Sequence, residues 1–185
     1  KDNFRSDPKV KTGSATLSDY KGSGYDRGHL APAADFKWSA TAMSESFYMS
    51  NMSPQVPGFN RGIWKNMEST VRNWAVENDE IYIVTGPVLE NTLGSIGSNR
   101  VSIPSQYYKV ILDYKKPDIK GIGIIMPNEK SDESLSFYAV SIDEVERITG
   151  IDFFPELPDE IEGILENNIN ITMSLTTPGC TMGQY

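Results

Sequence analysis

A chain of 185 residues, 38% of them hydrophobic, is long enough to bury a core, and no apolar run approaches the length of a helical membrane span. A net charge of −8 argues against a nucleic-acid coat, and one cysteine, Cys180, excludes an internal disulfide and a cysteine-rich zinc site. The charge is uneven: residues 1–75 carry 10 Lys+Arg against 7 Asp+Glu and residues 76–185 carry 7 against 18, so a phosphate-bearing substrate is expected to meet the first part, unless the imbalance only reflects solvated faces.

No internal repeat or linker-like tract interrupts the chain, which reads as one domain over residues 1–185. Residues 10–24, rich in Gly, Ser and Thr, read as irregular connection. "SFYMSNM" (46–52) reads as a short strand ending in a polar turn, "SPQVPGFN". From Asn60 the pattern changes: Ile63, Trp64, Met67, Val71, Trp74 and Ala75 recur at helical spacing, predicting an amphipathic helix of about four turns over 60–75 with both tryptophans in the core.

Beyond it, "IYIVTGPVL" (81–89), "YYKVILDY" (107–114), "IKGIGIIMP" (119–127) and "SFYAVSI" (136–142) read as strands. With no long helix between them they predict a mainly antiparallel sheet. Ser141 and Glu144 form a capping-box pattern opening a helix that Gly150 can close, and another helix is expected from Asp159, after Pro158. The prediction is an α+β fold, a central antiparallel sheet flanked by helices.

The single histidine, His29, sits in "YDRGHLAPAADF" (25–36). Imidazole suits proton transfer near neutral pH, and the neighbours support such a role against the plainer reading of a packed histidine. Asp26 can fix a tautomer or hold nearby backbone, Arg27 offers a planar fork for phosphate, and Gly28 permits a turn or a close approach. On the predicted helix, Asn60 falls within the apolar arc. It either caps the helix or presents its carbonyl oxygen to a hard cation, with Glu68 two turns later holding a water of the coordination sphere.

"DRGHLAPAAD" (26–35), "SNMSPQ" (50–55) and "NRGIWKNMESTVR" (60–72) resemble, in this order, the motifs of the DNA/RNA non-specific endonuclease family, the ββα-metal or His-Me finger nucleases. "SIDEVERITGIDFFPEL" (141–157) is similar to a later part of the family pattern. The resemblance implies a ββα-metal active-site unit in which His29 is the general base, Asn60 the direct Mg²⁺ ligand and Glu68 a partner of metal-coordinated water. It places Arg72 and Arg27 near the phosphate, and has Asn51 support the histidine and the scissile site. Mn²⁺ is an acceptable substitute for Mg²⁺. Arg61, Lys65 and Gln55 are read as substrate contacts, beside the plainer reading of surface charges and a loop-shaping residue, and Asp26 and Gly28 as structural support.

The implied activity is Mg²⁺-dependent hydrolysis of DNA and RNA without sequence preference, leaving 5′-phosphate ends. The alternatives are a nucleic-acid-binding module of the same fold that has lost hydrolysis, and a phosphodiesterase of small nucleotides. A further catalytic arginine that family members often carry before an F-x-x-D-P segment has only Arg5 of "KDNFRSDP" to answer to it. The resemblance and the scarcity of cysteine suit a secreted or periplasmic bacterial protein.

Overall fold

The computed structural model describes residues 3–115 and 119–167. A one-turn helix, Leu17–Tyr20 (α1), lies within the stretch expected to be irregular; Asp19 Oδ2 accepts from both the backbone N–H and the hydroxyl of Thr16, which closes that turn. Asp26–His29 (β1) follows, then a 3₁₀ turn over Ala33–Phe36 and Ala40–Glu45 (α2), whose first turn is capped by the Ser39 hydroxyl accepting from Ala42 N–H.

No strand runs over 46–52. The N–H groups of Ser46 and Tyr48 donate to Ala42 and Glu45 carbonyls, and Met49–Asn51 form a 3₁₀ turn. The aromatic run has strand propensity, but short-range bonds continuing out of α2 take much of its backbone and leave it only an isolated parallel bridge between Tyr48 and Arg5. The strand starts instead at Met52 and runs to Gln55 (β2), into the segment expected to be a polar turn. Proline is tolerated because β2 pairs only with β1, and the Pro54 carbonyl is taken by the Tyr107 hydroxyl at 2.8 Å and Asn128 Nδ2 at 3.0 Å. The pairing is antiparallel, with Asp26 opposite Gln55 and His29 opposite Met52.

The helix expected over 60–75 comes in two pieces, a π-helical turn over Phe59–Trp64 and a regular helix, Lys65–Glu77 (α3), with non-helical backbone at Gly62 (φ −102°, ψ −113°). Asn60 therefore lies inside the π turn, and the helix-cap reading does not hold. Phe59 and Trp64 are wholly buried, and burying side chains of this size contributes about 1.5–3 kcal/mol each, which anchors the irregular turn. β1, β2 and this helix form the ββα unit.

Tyr82–Val88 (β3) precedes a small hairpin of Ser95–Ile96 (β4) and Val101–Ser102 (β5). Gln106–Asp113 (β6), Lys120–Pro127 (β7) and Ala139–Val140 (β8) complete an antiparallel four-stranded sheet in the order β3-β6-β7-β8. Only the end of the strand expected over 136–142 is extended; Leu135–Tyr138 form a 3₁₀ turn. Ile142–Thr149 (α4) and Asp159–Asn167 (α5) begin where expected. Half the capping box is present: Ser141 Oγ accepts from Glu144 N–H, while the Glu144 carboxylate pairs with Arg147. Gly150 ends α4 at φ 68°, the left-handed conformation that glycine adopts without a Cβ clash.

Period-two alternation separates the sheet's faces. Tyr107, Ile111, Ile122, Ile124 and Met126 pack against Phe59, Ile63, Trp64, Met67, Val71 and Trp74, so both tryptophans are core. Tyr108, Val110 and Ile125 face Ile142, Val145 and Phe153 on the opposite side. The fold is α+β, a central antiparallel sheet between helices. Cys180 lies outside the described residues.

Candidate active site

β1 ends at His29, and the first turns of the 59–77 helical segment cross beneath it. Trp64 Nε1 donates to the His29 carbonyl at 3.3 Å, tying the strand end to the helix. The imidazole stands edge-on to Phe47, with centroids 4.9 Å apart, and 5.9 Å from Phe4, so two phenyl rings set its orientation. His29 lines a groove of about 460 Å³ together with Asn60, Arg61, Lys65, Glu68 and Pro32–Ala34.

Asp26 reaches across the ββα unit. Its Oδ2 accepts from Asn60 Nδ2 at 2.9 Å and from Arg61 Nε at 2.7 Å, and its Oδ1 accepts from Arg61 Nη2 at 2.6 Å. Both carboxylate oxygens thus serve the π turn, where the sequence alone suggested a tautomer or local backbone as their partner. Burial raises this carboxyl's affinity for a proton, but the bonds from Arg61 and Asn60 together outweigh it and hold the pKa below the ordinary value. Arg61, expected to touch substrate, is exposed yet committed to this pair.

Arg27 lies with its guanidinium carbon 4.3 Å from the Phe4 ring centroid, and its Nε is buried without a hydrogen-bond partner among the described residues. Gln55, expected as a substrate contact, is wholly buried opposite Asp26. A Cβ on Gly28 would fall 2.0 Å from Gln55 Oε1, so the glycine is needed for this side chain to cross β1. Arg5 bonds the Ser44 and Asn3 carbonyls through Nη1 and stacks on Tyr48.

Asn51 braces the chain leaving His29. Its Oδ1 accepts from Ala31 N–H at 3.0 Å, and its Nδ2 donates to the Ala31 and Ser46 carbonyls at 2.8 Å. Arg72 bonds Asp35 Oδ1 at 2.9 Å and Ser69 Oγ at 3.1 Å, so its charge is anchored beside Glu68. Glu68 and Pro32 line both this groove and a second cavity of about 490 Å³ that Asp35, Asn51, Thr85 and Lys109 also line. Burial pushes the Glu68 carboxyl above its ordinary value, opposed by the charges of Lys109 and Arg72.

Phe4, Asp35, Phe47 and Lys109 were not singled out from sequence. The lysine alone left a signal, a cation amid the apolar run "YYKVILDY".

Residues 1–160 match the family model described as DNA/RNA non-specific endonuclease. Mitochondrial endonuclease G of Bos taurus is 39% identical over 156 residues, covering 77% of this chain and 52% of that protein. Nuclease C1 of Cunninghamella echinulata var. echinulata is 39% identical over 168 residues, 83% of this chain and 67% of that one. A nuclease of Nostoc sp. is 36% identical over 181 residues, 91% and 65% respectively. The chain thus spans between about half and two thirds of the length of these relatives. A chain from the solved EndoG/EndoGI complex, described as revealing the mechanism of EndoG inhibition, superposes with a TM-score of 0.79 at 34% identity, over 85% of this chain and 71% of that chain.

Proposed function

The chain belongs to the DNA/RNA non-specific endonuclease family, and from that premise we propose that it is a Mg²⁺-dependent endonuclease cutting DNA and RNA without marked sequence preference and leaving 5′-phosphate ends. The supporting observation is that one groove gathers an imidazole, a carboxamide and a carboxylate, His29, Asn60 and Glu68.

The donor set fits a hard cation. Because Asp26 accepts from Asn60 Nδ2, the carbonyl Oδ1 is the arm of the amide left for an ion. A hard cation that keeps most of its waters needs few protein oxygens, and Asn60 and Glu68 line the same groove. Asn60 Oδ1 would hold Mg²⁺, or Mn²⁺ in its place, with Glu68 binding its water, and the ion would neutralise charge on the phosphoryl oxygens.

His29 acts as the general base. It takes a proton from water as the new P–O bond forms; the bond to the 3′ oxygen breaks and a solvent water protonates the departing alkoxide, leaving a 5′-phosphate and a 3′-hydroxyl. Phe4 and Phe47 fix the plane of the imidazole; Asn51 fixes the backbone beside it. Lys65 and Arg61, which line the groove, supply positive charge to the phosphate, and Arg27 and Arg72 are read as adding to it. These groups address phosphate and not base edges, so sequence indifference follows.

Residues 1–185 are read as one nuclease domain. No helix among the described residues is long and apolar enough to cross a membrane, and a secreted or periplasmic bacterial location remains our reading.

Incubation of plasmid and RNA with Mg²⁺, with and without chelator, tests the function. Cutting of both that chelator stops, and that His29→Ala reduces by about a hundredfold or more, is expected. Binding without cutting would point instead to a binding module, and cleavage of a chromogenic diester alone to a small-nucleotide phosphodiesterase.

A further inference from the structure

β6 is buried from Tyr107 to Asp113, and alternation puts Tyr107, Lys109 and Ile111 on the face that the 59–77 helical segment covers. Lys109 is 2% exposed. An ammonium at such a position is strongly disfavoured unless paired. Its Nζ donates to Thr85 Oγ1 at 2.8 Å, from the β3 residue opposite it in register, and lies 4.7 Å from the Trp64 ring centroid. Neither neighbour carries a negative charge.

The same residue lines the 490 Å³ cavity, whose walls include two carboxylates, Asp35 and Glu68. Asp35 is already paired with Arg72 at 2.9 Å. Glu68 is therefore the counter-charge left for the ammonium, and Glu68 also faces the groove of His29 and Asn60.

We propose that Lys109 is a positioning residue for Glu68: its buried ammonium holds that carboxyl group in place where the cavity and the catalytic groove meet. The inference rests on the role given to Glu68 above. It accounts for a buried lysine amid the apolar residues of β6, since local rules are broken where a site demands it. The electrostatics agree, because Lys109 is the foremost charge opposing the effect of burial on Glu68, and Glu68 the foremost charge opposing the effect of burial on Lys109.

The test uses wild type, Lys109→Met, Glu68→Gln and the double variant, with two readouts. In plasmid cleavage with Mg²⁺, K109M is expected to lower kcat by about tenfold or more with KM within about twofold, and to change kcat by less than about twofold when Glu68 is already glutamine. In urea unfolding of metal-free protein, K109M is expected to lower the midpoint in the wild-type background, where it strands a carboxylate, and to leave it level or raise it in the E68Q background. Equal midpoint losses in both backgrounds, or rate losses that multiply, overturn the proposal. E68Q cutting at the wild-type rate would be a different failure, that of the role assigned to Glu68, and the unfolding comparison would still decide whether Lys109 holds that carboxylate.

Discussion

Asp26 grips Asn60: the Nδ2 of the asparagine donates to the aspartate Oδ2 at 2.9 Å, from the first residue of β1 to the π turn ahead of α3. The bond decides which end of the carboxamide faces the groove, and Arg61 steadies the same carboxylate from the solvent side. Asp26→Ala is expected to reduce Mg²⁺-dependent cleavage by about 10–100-fold, the usual consequence of losing a group that orients a metal ligand. Arg61→Ala leaves the Asp26–Asn60 bond in place and loses less. A Mg²⁺ titration of cleavage rate in both variants checks this, since the Asp26 effect requires a raised Mg²⁺ demand.

Gly28 and Gln55 are locked by shape. An alanine Cβ at 28 would sit 2.0 Å from Gln55 Oε1, in a ribbon whose β2 residues are all buried. Gly28→Ala is expected to cost about 1–3 kcal/mol of stability as an overpacking substitution. Adding Gln55→Ala removes the obstacle along with an amide that has no hydrogen-bond partner among the described residues. Urea midpoints of both single variants and the double should be strongly non-additive, with the double more stable than G28A alone.

Asn51 makes three bonds that join the chain after His29 to the end of α2. Asn51→Ala is expected to lose about 1–3 kcal/mol, the net worth of several part-exposed bonds. Asn51→Asp separates shape from donor chemistry: it keeps an acceptor for Ala31 N–H but cannot donate to the Ala31 and Ser46 carbonyls. Its unfolding midpoint should fall nearly as far as that of the alanine variant.

The sheet's long strands and α4 were legible because their signals are local: continuous apolar runs, a serine cap and a closing glycine at 150. β2 was not, because Pro54 argues for a turn unless one knows that its strand has a single partner. The π turn was hidden as well, since helical spacing continues through it and only Gly62 marks the break. Of the site, the chain positions gathered in the groove could be named from the DRGH segment and the asparagine–glutamate spacing. Their attachments could not: Arg72 to Asp35, Asn60 to Asp26 and His29 to Phe4 are set by tertiary contact between residues far apart in the chain.

Glu68 gives the metal-free protein a definite response to pH. Burial drives its carboxyl up to about 7, against the pull of Lys109 and Arg72. A carboxyl so raised binds its proton more tightly in the folded chain than in the unfolded one, so its contribution to stability is complete below the ordinary value of 4.5 and is lost as pH climbs through about 7. Asp26 has the opposite sense: its lowered pKa stabilises the fold above the ordinary carboxylate range, and that contribution disappears as pH falls through the folded value. Between pH 5 and 7 the Glu68 contribution is being lost, and since Glu146, which burial also raises, is common to both proteins, the urea midpoint of metal-free protein should decline more steeply for wild type than for Glu68→Gln. A cation held beside Glu68 favours the ionised carboxylate, so the stabilisation given by Mg²⁺ should grow over the same interval in wild type and much less in E68Q. A Mg²⁺ stabilisation that is flat with pH in wild type would detach Glu68 from the ion.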